Sequence, residues 1–101
     1  MPLDFYWLNA DRANTPLVSL DDDALVALEC AIQSFEKKTA ISLDPYGHTR
    51  IAPEQCALLA TQVRILDTSK MQSPTKETLS SLLTVLDLAA ASRRSLEAEG
   101  D

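Results

Sequence analysis

Three stretches of this chain repeat apolar residues at spacings of three and four, and each opens with residues that suit the start of a helix. The first carries Leu25, Leu28, Ile32 and Phe35. Ser19 can cap it, with Asp22 three residues on as an imperfect capping box, or Asp21 can serve as the cap. Asp21, Asp22 and Asp23 meet the positive end of the helix dipole, and Lys37 and Lys38 meet its negative end. The pattern predicts a helix over about residues 20–38. The second stretch has Pro53 at a first helical position, Glu54 in the first turn, and Cys56, Leu59, Val63 and Leu66 as its stripe, which predicts a helix over 53–68. The third begins at Ser73-Pro74 and carries Leu79, Leu82, Leu83, Leu86, Ala89 and Ala90, with Val85 beside that face, which predicts a helix over 74–97. Residues 96–101 are expected to fray as a polar tail.

The remaining segments read differently. Residues 3–8 are rich in aromatics, and Leu3, Phe5 and Trp7 alternate onto one face, as in a strand. Turn-forming residues follow to Pro16, and Leu17-Val18 can add a short second strand. Tyr6 and Leu8 fall on the opposite face, so the strand is either buried on both sides, the favoured reading, or keeps one side for binding. Residues 41–51 hold a turn at Asp44-Pro45-Tyr46-Gly47 and are either a hairpin or a loop with extended flanks. The expected fold class is mainly α: a three-helix bundle-like domain with a short N-terminal extended strand or hairpin packed on it. At 101 residues the chain has room for one hydrophobic core, so 1–101 is read as a single domain.

Charge and composition exclude several classes of function. Net charge is −6, from 15 acidic and 9 basic residues, which disfavours nucleic acid and anionic membrane as partners and suits a basic protein surface. No apolar run approaches the roughly 18–20 residues of a membrane span. The start of the chain lacks the basic and apolar regions of a signal peptide, so a cytoplasmic protein is expected, or one exported without such a signal. Gly47 and Gly100 are the only glycines, which leaves no glycine-rich phosphate loop. Two cysteines and one histidine fall short of the four N/S ligands of a structural zinc site, and no metal or cofactor is expected. Cys30 and Cys56 both sit in apolar helical patterns and read as buried small hydrophobes. A His48–Cys56 dyad is chemically conceivable, but its spacing suggests nothing special. The chain is expected not to be an enzyme.

Two groups of residues can make contacts. Tyr46, His48 and Arg50 share one side of the 41–51 segment if it is extended, and Tyr and Arg are common binding anchors. Against that, Tyr46 can pack on the core and Arg50 can pair with an acid. Asp21, Asp22 and Asp23 either serve the helix dipole alone or form an acidic contact patch; successive helical positions point about 100° apart, so they do not converge on a metal.

The stretch from Thr39 to Pro53, TAISLDPYGHTRIAP, lies between an acidic amphipathic helix and a second helix. With that setting, it resembles small acidic bacterial proteins, some of which are similar to immunity proteins that neutralise secreted toxins. The resemblance spans roughly the middle half of the chain and carries over no catalytic residue, because that class acts by binding. It implies an immunity-type inhibitor of a toxin or effector, with Tyr46, His48, Arg50, Asp21, Asp22 and Asp23 as the expected contact residues. The alternative is a homo-oligomeric structural or adaptor protein, with the third helix as the dimer interface. A small cysteine-dependent enzyme is a further alternative.

Overall fold

The computed structural model describes residues 3–10, 15–43 and 47–100. In chain order these form β1 (Leu3–Trp7), β2 (Val18–Leu20), α1 (Asp22–Ala27), α2 (Glu29–Thr39), β3 (His48–Ile51), α3 (Pro53–Ile65), α4 (Ser73–Ser92) and β4 (Leu96–Gly100). The strands build one antiparallel sheet in the order β2-β1-β4-β3. This corrects the expectation of a mainly α bundle: the fold is a sheet with a helical layer packed on one face. The element that changes the class is β4. Residues 96–100 do not fray; they pair with β1 on one side and β3 on the other, so every strand in the sheet depends on them directly or through β1.

Alternation explains which face the helices cover. Leu3, Phe5, Val18, Leu20, Ile51, Leu96 and Ala98 all lie in the core, and their partners in register are one another: Leu3 opposite Leu20, Phe5 opposite Val18 and Ala98, Ile51 opposite Leu96. With a side-chain period of two, the intervening residues must point away from the helices. From the helical side, Ala24, Leu28, Phe35, Leu59, Val63, Leu79, Leu82, Leu86 and Ala89 meet this surface. Leu25, Ile32, Leu83, Val85 and Trp7 pack against it while partly exposed.

The helix ends follow local chemistry. Asp21 is the cap of α1, its carboxylate accepting the Ala24 amide at 2.8 Å. The helix expected over 20–38 is broken at Leu28, whose backbone departs to φ −89°, ψ −1° and divides α1 from α2. Both helices keep their apolar side inward across the break, Leu28 itself being 1% exposed. Ala40 ends α2 in the left-handed region at φ 59°. Pro53 opens α3 with Ala52 as cap, and the Gln55 side chain accepts the Ala52 amide at 2.8 Å. Helix α4 is capped at Gln72 rather than Ser73, with Pro74 in its first turn. It stops at Ser92, short of the expected 97, because Arg93 turns left-handed at φ 55° and frees the chain to enter β4.

Candidate functional site

The open face of the sheet is the site. Its residues are Asp4 and Tyr6 on β1, Ser19 on β2, His48 and Arg50 on β3, and Glu97 and Glu99 on β4. Register arranges them in two rows across the strands. One row runs Ser19, Asp4, Glu99, His48; the other runs Tyr6, Glu97, Arg50. Asp4 and Glu99 are directly opposed carboxylates, an arrangement that is repulsive between neighbouring strands. Asp4 is partly offset by the Ser19 hydroxyl, which donates to its Oδ1 at 2.5 Å. His48 Nδ1 lies 3.2 Å from Glu97 Oε1. The imidazole is well exposed at 64%, and Glu97 is more sheltered at 21%. One ligand atom each from His48, Glu97 and Glu99 falls within 4.8 Å of the others.

The expected contact residues divide between two places. His48 and Arg50 are exposed and share the open face, as alternation along an extended segment requires. Tyr46 lies outside the described residues. Asp21, Asp22 and Asp23 are exposed at the start of α1, immediately after β2. β2 and β3 are the two edges of the sheet, so three strand spacings, roughly 14 Å, separate the aspartates from His48 and Arg50. The two groups therefore do not form one compact patch. Asp21 is in addition committed to capping. Between them stand Glu97, Glu99, Asp4 and Tyr6, which were not expected as site residues. Tyr6 is buried at 9% exposure, in line with a strand buried on both sides, and it lies on the face opposite the helices. Leu96-Glu97-Ala98-Glu99 alternates apolar with charged residues, and that two-residue period was the available signal for the missing strand.

The cysteines stand apart from this face. Cys56 is fully buried, with Sγ 3.7 Å from the Ile51 carbonyl oxygen. Burial pushes its thiol up to about 11, which suppresses the thiolate at neutral pH. It lies in the core on the helical side of the sheet, whereas His48 points off the other side, so the two do not form a dyad. Cys30 is exposed on α2, contrary to the expectation that it is buried: its position falls off the stripe made by Ala31 and Phe35.

Other surface features are modest. On α4, Leu83 and Val85 pack against the core, and Leu88 is the large hydrophobic left exposed. Arg64 on α3 and Asp87 on α4 form an ion pair with both side chains about half exposed. Among the described residues no helix is long and apolar enough to cross a membrane. No family model, curated protein or solved structure matches the chain.

Proposed function

We propose that this chain is a non-catalytic protein-binding domain of the immunity type, which sets the open face of its sheet against a basic surface on a bacterial toxin or effector. The observation that carries the reading is the charged sheet face opposite the helices, half-buried at Asp4, Glu97 and Glu99 and exposed at His48 and Arg50. Asp4, Glu97 and Glu99 form its acidic centre, with Arg50 and His48 along the β3 edge. A sheet face places side chains at fixed spacings, so a partner meets a largely prearranged pattern of charge. The net charge of −6 favours approach by a basic partner and speeds encounter more than it adds affinity. Arg50, exposed on this face, is of a residue type that often anchors an interface. Asp22 and Asp23, at the far edge, contribute to the field rather than to the contact. In this reading the protein works in the cytoplasm of the cell that makes the toxin.

The test is a rescue experiment with a candidate toxin, such as one encoded beside this chain's own gene. Co-expression should restore growth, and a Glu97→Lys/Glu99→Lys double variant should lose that protection while keeping its fold by circular dichroism. Asp22→Ser/Asp23→Ser should still protect, with slower association at low salt. A toxin that kills equally well in the presence of the wild-type protein argues against immunity. Protection indifferent to both glutamate reversals removes the open face as the contact.

A second reading, a homo-oligomeric adaptor, draws on Leu58, Ile65 and Leu88, which leave apolar surface exposed on α3 and α4. Sedimentation at micromolar concentration separates the two: a stable dimer favours the adaptor, and a clean monomer favours the inhibitor.

A further inference from the structure

His48, Glu97 and Glu99 come from two adjacent strands and point to the same side. Glu97 and Glu99 are two residues apart on β4, and His48 is the direct cross-strand partner of Glu99. Strand pairing therefore fixes three Cβ positions around one point on the surface, with no loop involved. Zinc bonds of about 2.0–2.1 Å in a tetrahedral arrangement set neighbouring donors roughly 3.3 Å apart. His48 Nδ1 and Glu97 Oε1 stand 3.2 Å apart, which is already that separation. The three donor atoms lie within 4.8 Å of one another, so the remaining adjustment is on the order of 1.5 Å. Rotamer changes in Glu99, which is only partly buried, can supply it.

We propose that this corner of the sheet binds one divalent d-block cation of the zinc class through an imidazole nitrogen of His48 and one carboxylate oxygen from each of Glu97 and Glu99. The donor set decides the class. One imidazole with two carboxylates suits zinc and its neighbours, whereas magnesium and calcium favour an all-oxygen set. The cation also offsets the repulsion between the opposed carboxylates of Asp4 and Glu99. Arg50 is the cross-strand neighbour of Glu97 and places a positive charge beside the site, which opposes cation binding. Three protein ligands leave a fourth position open to solvent, as in zinc sites that accept an outside ligand. The inference concerns the isolated protein and does not depend on the partner proposed above.

The test is a zinc titration followed by calorimetry and by the imidazole NMR signals of His48. It uses Cys30→Ser protein, so that the exposed thiol supplies no competing site. The expected result is one zinc per chain, with the His48 signals moving in step with the heat, and no saturable response to magnesium. His48→Ala and Glu99→Gln should each weaken zinc binding at least about tenfold, since even residues that only orient a ligand are worth roughly 10–100-fold. Glu99→Gln keeps the shape of the side chain, so the comparison holds even if His48→Ala disturbs the edge strand. Absence of saturable binding below about 1 mM zinc, or equal affinity in the wild type and both variants, overturns the proposal.

Discussion

Leu96→Ala is the most direct test of the fold, because it separates a central strand from a frayed tail. Leu96 is completely buried, and its register partners are Trp7 on β1 and Ile51 on β3. The substitution deletes three carbon groups, worth about 0.8 kcal/mol each, or roughly 2.4 kcal/mol of transfer free energy. Strands pinned on both sides cannot close the space that is left, so a cavity contribution adds to this. The expected loss is about 3–4 kcal/mol, within the range seen for buried leucines. Trp7 is the only tryptophan and sits beside the change, so its fluorescence reports urea unfolding directly. With a urea slope of about 1–1.5 kcal/mol per M, the midpoint should fall by roughly 2–4 M. Glu97→Ala, on the open face of the same strand, should cost less than about 1 kcal/mol. A Leu96→Ala loss below about 1 kcal/mol, the scale of a surface change, would refute the central position of β4.

Three further outcomes follow from the structure. Ala40→Gly should stabilise the protein by about 0.5–1 kcal/mol, seen as a higher melting temperature, because Ala40 sits left-handed at φ 59° where a Cβ is unfavourable; an unchanged or lower melting temperature contradicts the strained cap. In native protein an alkylating reagent should modify Cys30 and spare Cys56 until the chain unfolds. Because the fold raises the Cys56 thiol from 9.0 to about 11, the unfolded chain releases that proton first as pH rises. The Cys56 contribution to stability should hold below pH 9 and fall between about pH 9 and 11, and a Cys56→Ala variant should lack that component.

The helical stripes were legible because a helix satisfies its backbone within a few residues, so that Leu79, Leu82 and Leu86 mark the inward face of α4 unaided. Pro53 likewise marked the start of α3. Strand β4 was not legible in the same way. Its five residues alternate, but two of them are glutamates and one is glycine, and their pairing partners are remote in sequence. The break at Leu28 was also hidden, because the apolar spacing continues through it. For the site, alternation alone put His48 and Arg50 on one side. Their acidic neighbours Glu97 and Glu99 could not be found while the segment carrying them was read as a tail. The three aspartates were conspicuous in the sequence for their density, yet strand order sets them at the opposite edge.

The pairing of β1 with β4 has a kinetic consequence. Its partners, such as Trp7 and Leu96, lie about ninety positions apart along the chain. Closing so long a loop costs conformational entropy before any contact in the sheet offsets it. The neighbouring β1–β2 pair closes a far shorter loop, and α3 and α4 meet across a brief connection. A nascent chain can therefore form its helices and its first hairpin early, while the middle of the sheet stays open until residues 96–100 arrive. During that interval β1 and β3 expose unpaired backbone edges that can recruit a second chain, so the rate at which β4 docks sets how long each new molecule is vulnerable to aggregation.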